Sequence, residues 1–149
     1  MIVNKAYRYR IYPTTEQKIT FAKTFGCVRF IYNKMLRDRI DYYKETGQKL
    51  NNTPAQYKEE FPWLKEVDSL ALANAQMNLN KAYSHFWNDS QHFGKPRFKS
   101  KKNSRASYST NNQKGSVRIE GHKVKLPKVG WVKLCQHRPL PENSIIKTV

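Results

Sequence analysis

Eight residues near the amino terminus restrict the folds open to this chain more than any other stretch. Lys5 to Tyr12 alternates with period two, setting Tyr7, Tyr9 and Ile11 on one side and Ala6, Arg8, Arg10 and Tyr12 on the other. Such alternation, in residues that suit a pleated surface, specifies a strand. Pro13 ends it. The following eighty or so residues carry helical rather than strand periodicity, so the strand has no partner nearby. One strand is not stable alone, and its partners must come from much later in the chain.

The intervening block begins with a capping box, Thr14-Thr15-Glu16-Gln17, in which Thr14 caps a helix and Gln17 reaches back. Ile19, Ala22 and Phe25 are the expected apolar stripe of a first helix. Gly26 is the expected bend, and a second helix is expected from about Val28 to Glu45, with Ile31, Met35 and Ile40 or Tyr43 inward and Gly47 as the stop. Asn51 to Pro62 reads as a loop with a short helix around Ala55 to Glu60. A stronger helix starts at Asp68 or Ser69, where Leu72, Ala75, Leu79, Ala82 and Phe86 fall three and four apart. Another of its faces carries Asn74, Asn78, Lys81, His85 and Asn88.

Beyond Gly94 the helical period disappears. Val117 to Ile119 and Lys123 to Leu126 read as strands paired around a turn containing Gly121. Trp131 to Leu134 is a further strand, and Ser144 to Val149 is expected to begin another. These are the partners the first strand needs. The expected architecture is α+β: a small β-barrel built from both ends of the chain, with helices inserted between Pro13 and about Phe93.

Charge points to the ligand. The 149 residues include 28 lysines and arginines against 11 acids, a formal charge of +17. From Met1 to Gly94 there are 14 basic and 9 acidic residues, whereas from Lys95 onward 14 basic residues face only Glu120 and Glu142. Self-repulsion on that scale is relieved by a polyanion, which favours a nucleic-acid partner. No apolar run approaches the roughly 20 residues needed to cross a bilayer, and no membrane partner is expected. The first residues lack a signal-peptide pattern, so a cytoplasmic location is expected. Cys27 and Cys135 are too few for a disulfide framework, and Cys27 reads as a packing residue.

No catalytic residues, metal site or cofactor are expected. A two-metal nuclease needs converging carboxylates, but the acids here cluster as Asp38/Asp41/Glu45, Glu59/Glu60 and Glu66/Asp68, spacings that suit solvated surfaces and ion pairs with Lys34, Arg37 and Lys44. Cys135 and His137 with the scattered histidines do not form a four-ligand zinc pattern. Gly-x-Ser-x-Gly and Gly-rich phosphate loops are missing from the sequence.

Binding residues fall into two groups. Lys5, Arg8, Arg10 and Tyr12 on the first strand, Arg118 and Lys123 and Lys125 on the later hairpin, and Arg97, Lys99, Lys101 and Lys102 in the basic Lys95-to-Arg105 connection offer charge beside aromatic rings. That combination suits a phosphate track with base stacking. The second group is amide- and hydroxyl-rich: Ser69, Ala73, Asn74, Asn78 and Lys81 on the long helix, and Asn111, Asn112 and Gln113 in a polar turn. Asn and Gln can read adenine in a major groove.

In order along the chain, Asn4-Lys5-Ala6-Tyr7, Arg10-Ile11-Tyr12-Pro13, Val28-Arg29-Phe30, Tyr32-Asn33, Trp63-Leu64, Ala71-Leu72, Gly94-x-Pro96-Arg97-Phe98-Lys99, Ser107-Tyr108 and Leu126-Pro127-Lys128-x-Gly130-Trp131-Val132-Lys133 resemble the N-terminal half of the TnpB (OrfB) family of transposon-encoded RNA-guided nucleases. The resemblance implies a wedge domain of oligonucleotide-binding β-barrel type (residues 1–13 and 94–149) interrupted by a helical recognition domain (14–93). It implies two partners: a guide RNA from the transposon end, and double-stranded DNA carrying a short motif beside the target. In the family a RuvC-like nuclease domain and a four-cysteine zinc finger follow, and neither is expected in these residues. The family's motif-reading positions map to Ser69, Ala73 and about Gln113. Alanine cannot hydrogen-bond a base, so Asn74 is the expected substitute. A stand-alone, nuclease-dead DNA-binding regulator and a cutting transposase are the alternatives.

Overall fold

The computed structural model describes residues 1–102 and 105–149; Asn103 and Ser104 of the basic connection lie outside the described residues. Two helices and four strands organise it: β1 (Arg10–Tyr12), α1 (Thr15–Thr46), α2 (Ser69–Asn88), β2 (Arg118–Glu120), β3 (Lys123–Leu126) and β4 (Gly130–Cys135). Two short 3-10 helices, Pro54–Tyr57 and Pro62–Glu66, link α1 to α2. The fold is α+β.

The strand that lacked a local partner finds a distant one. The sheet is antiparallel throughout, in the order β1-β4-β3-β2, and pairs Ile11 with Leu134, Val124 with Val132 and Ile119 with Val124. Both ends of the chain therefore build one sheet. The expected strand at Ser144 to Val149 shrinks to one bridge, Asn111 to Thr148. It is supported by Thr110 N–H to Val149 O (2.8 Å) and Val149 N–H to Thr110 O (2.9 Å). β1 is also shorter than expected. Tyr7 and Arg8 precede it, although Tyr9 and Ile11 still pack on the sheet core.

The expected bend at Gly26 does not occur. α1 is one helix of 32 residues, capped at Thr14 by the full capping box and ended by Gly47 in the left-handed region (φ 69°). A glycine inside a helix costs about 1 kcal/mol relative to alanine, less than the packing around it gives back. Phe21, Thr24, Val28, Ile31 and Met35 form a stripe at three- and four-residue steps that passes straight across Gly26. The expected stripe residue Ile19 lies outside it, 54% exposed.

Two cores result. Cys27, Ile31, Met35 and Leu36 of α1 pack with Leu64, Val67, Leu72, Ala75 and Leu79, while Val117, Val124, Leu126, Val132 and Leu134 form the sheet core, against which Phe21 of α1 leans. A buried polar hub braces the first: Asn52 donates to Met35 O (3.2 Å) and Tyr57 Oη (2.8 Å), Tyr57 donates to Asp38 Oδ2 (2.7 Å), and Arg39 donates to Asn52 Oδ1 (2.7 Å). Leu72 and Leu79 are fully buried. Truncating either to alanine should cost about 2–5 kcal/mol by leaving a cavity, read from urea unfolding midpoints. A loss under about 1 kcal/mol would mean this helix pair is not the core.

Candidate nucleic-acid interface

The strand register sorts the basic residues onto one face. Tyr12, Lys133, Lys123 and Glu120 form one cross-sheet row, Trp131, Lys125 and Arg118 a second, and Arg10 stands opposite Cys135. Since side chains alternate across a sheet, all of these point away from the face that buries Val124, Val132 and Leu134. Five cations and two aromatics thus share a surface with one acid. Tyr12 is 48% exposed and Trp131 37%. Cations lie over both rings: the Arg10 guanidinium 5.7 Å from the Tyr12 centroid and that of Arg118 5.7 Å from Trp131. Arg118 also reaches Glu120, at 4.0 Å. Trp131 and Lys133 were missed as site residues, although period two within Trp131-Val132-Lys133-Leu134 sets both on the polar side of that strand.

Arg8 and Lys5 are exposed just before β1. Beside them Tyr7 and Tyr9 stack at 6.3 Å, the Arg138 guanidinium covers Tyr7 at 4.3 Å and Tyr9 donates to Arg138 O (2.5 Å). Around Phe98 and Lys99 the basic connection lies against α1 as a strap. The Asn33 side-chain amide clamps the Lys99 backbone in both directions, each bond 2.8 Å. Lys99 Nζ sits 4.4 Å from the Tyr32 ring and Arg37 lies 5.0 Å from that of Phe98. Arg97, Lys101 and Lys102 are exposed. Lys99 is thereby engaged within the protein, unlike its basic neighbours on the strap.

The amide-rich group converges in part. Asn74 donates to Leu70 O (2.9 Å) and to Asn111 Oδ1 (2.7 Å), bringing the start of α2 against the polar turn. Both hydrogens of the Asn74 amide are thus occupied, and its oxygen is the group left for a further bond. Asn112 is committed internally, donating to Ile146 O (2.9 Å) and accepting from Val117 N–H (3.1 Å). Gln113 and Ser69 are exposed and Ala73 is half-buried, while Asn78 and Lys81 lie exposed further along α2.

Asp68, expected on a solvated surface, is instead 6% exposed. It caps α2 by accepting from Leu70 N–H (3.0 Å) and also accepts the Thr110 hydroxyl, tying the polar turn to the helix start. Two acids of the same clusters are ion-paired: Lys34 contacts Asp38 (3.2 Å) and Lys23 contacts Glu66 (3.9 Å). Among the described residues no group of three or more His, Cys, Asp or Glu converges, and no helix is long and apolar enough to cross a membrane.

Burial, aided by the Asp38 hydrogen bond, pushes the Tyr57 phenol up to about 12, and burial, with the Asp68 charge, does the same for Tyr108. Both are held neutral in the fold, above the ordinary value near 10.0. Their stabilisation is present below about pH 10 and fades as pH rises through about 12. Urea midpoints should fall across that window, and Tyr108→Phe should flatten the fall. An unchanged profile in that variant would remove Tyr108 from the account.

A family model described as a helix-turn-helix domain (HTH_OrfB_IS605) matches residues 1–48. In the structure this region holds β1 and the unbroken α1, with no turn between residues 15 and 46. A relative from Streptomyces pristinaespiralis, named for RNA-guided DNA endonuclease activity, is 32% identical over 99% of this chain. The chain belongs to the TnpB/OrfB family. A similarly named family relative, InsQ of Escherichia coli K12, is 24% identical over 97% of the chain. The chain spans 38% and 36% of the length of these two relatives. Virulence protein VsdF of Salmonella dublin is 34% identical over 65% of the chain, which here covers 93% of the relative.

Proposed function

We propose that this chain is the nucleic-acid-binding module of a TnpB-like RNA-guided nuclease, holding a guide RNA from the transposon end and a DNA duplex with a short motif beside the target. The outward sheet face carries the proposal: five cations and two exposed rings against a single acid. Rings flanked by cations stack bases and track phosphates with little regard for sequence. We assign residues 1–13 and 94–149 to a wedge of oligonucleotide-binding barrel type and 14–93 to the inserted recognition domain. Cutting we assign to parts of the endonuclease relatives outside the region this chain matches, and the site of action to the cytoplasm.

Duplex reading is assigned to the start of α2 and the polar turn. The Asn74 oxygen is an acceptor there, and the Asn111 amide, which gives one hydrogen to Thr148 Oγ1 (3.4 Å), keeps a second to donate; adenine in a major groove takes one bond of each kind. Gln113 stands beside them. Replacing Arg10 and Lys123 by Ala should weaken structured RNA broadly. Replacing Asn111 or Gln113 should change which duplex is preferred, by about 1–3 kcal/mol for a good bidentate contact, and spare RNA. Parallel titrations with structured RNA and a randomised duplex pool test this division. An unaltered motif profile in both amide variants would refute reading by the turn.

The VsdF match favours one second reading, a stand-alone DNA-binding regulator, because nearly all of that relative falls within the matched region.

A further inference from the structure

The middle of α1 carries a second candidate surface, away from the sheet face and the polar turn. Gly26, Arg29, Phe30, Asn33, Lys34 and Arg37 form one stripe of the helix, and Phe98 of the strap faces them across an open cleft of about 410 Å³. That volume falls within the range of small-molecule sites, roughly 300–1,000 Å³. The floor is bare backbone, since a side chain added at Gly26 would meet nothing within 4 Å. The far wall is fixed, because Asn33 grips the neighbouring Lys99 backbone by two hydrogen bonds of 2.8 Å.

The lining combines flat rings with positive charge. Phe30 is itself oriented edge-on to Phe61 and Trp63, each 4.8 Å away. Phe98, 46% exposed, has the Arg37 guanidinium 5.0 Å from its ring. Lys34 is held by Asp38 at 3.2 Å, whereas Arg29 and Arg37 flank the cleft two turns apart on α1. No acid lines it. Flat apolar walls between guanidinium groups suit a planar ring carrying a phosphate, and unpaired bases are bound on such aromatic and guanidinium planes.

We propose that this cleft takes one unpaired nucleotide of a bound strand, its base against Phe98 and Phe30 and its phosphate at Arg29. The site is independent of the sheet and turn assignments. Gly26→Leu fills the floor and keeps every charge, and leucine is the better helix former. Phe98→Ala removes the exposed wall and leaves α1 intact. The probes are fluorescein-labelled hexauridylate, the matching DNA hexamer and a blunt DNA duplex, followed by anisotropy with the 149-residue chain.

Each variant should bind the RNA hexamer about tenfold more weakly, the scale of one lost base–aromatic stack, with the duplex unchanged. A loss confined to the RNA hexamer assigns the site to RNA, and a loss on both hexamers assigns it to any unpaired nucleotide. Should Gly26→Leu lower the melting temperature, Phe98→Ala decides alone. Hexamer binding at the parental level, or an equal loss on hexamer and duplex, overturns the proposal. Lys123→Ala with Lys133→Ala is expected to weaken hexamers and duplex alike. Loss there with none in the cleft variants would leave the sheet assignment standing and remove only the cleft.

Discussion

Raising salt from 50 to 200 mM should weaken single-stranded nucleic-acid binding about a thousandfold. Displacing counterions from roughly eight phosphates on a single strand produces a dependence of that steepness. The structure supplies enough cations: Arg10, Arg118, Lys123, Lys125 and Lys133 on the sheet face, with Arg97, Lys101 and Lys102 exposed on the strap. Removing Lys123, Lys125 and Lys133 together should flatten the slope by about two units, since each phosphate contact accounts for about 0.7 on a single strand. Titrations at four salt concentrations measure both. A slope near zero in the parent chain, or one untouched by the triple substitution, would mean that the sheet face is not the phosphate track.

Asp68→Ala should cost about 2–4 kcal/mol, the joint effect of a lost helix cap and a buried hydroxyl left without its acceptor. The carboxylate accepts from Leu70 N–H and from Thr110, whose side chain is buried with it. It also lies at the positive end of the α2 dipole, where a negative charge is favoured. The same contact sets the polar turn against α2, so duplex selectivity should fall while RNA binding by the sheet persists. Thr110→Val provides the cross-check. If the carboxylate and hydroxyl act as a pair, the double variant should cost clearly less than the two single losses combined. Additive losses, measured by urea unfolding, would show that the link between turn and helix is not energetically coupled.

Much of this architecture was legible from local pattern. The capping box at Thr14, the α2 stripe of Leu72, Ala75 and Leu79, and the hairpin around Gly121 are each written in residues close together, and all three formed as expected. The unbroken α1 was not, because a lone glycine suggests a break while the stripe that overrides it draws its stability from α2 and the sheet. The buried role of Asp68 depends on Thr110, forty-two positions away, and no local signal announces such a partner. The sheet face was half-read: Arg10, Lys123 and Lys125 were named from their own strands. Period two sets Trp131 and Lys133 on the polar side of their own strand, but that they stand between Tyr12 and the strand of Lys123 and Lys125 follows from the β1-β4-β3 order, which periodicity leaves open.

The length of α1 has a mechanical side. Phe21 presses on the sheet and Met35 sits in the helical core, and between them the helix runs without interruption. A helix advances about 1.5 Å and turns about 100° per residue, so the two cores are phased by the number of residues separating them. One alanine inserted after Gly26 would leave each core's composition intact yet swing one around the other by more than a quarter turn. The contact between Asp68 and Thr110, which closes the circuit on the far side, could not follow. In this molecule the angle between the two cores, and between the surfaces proposed to bind on them, is set by counting residues along a shaft.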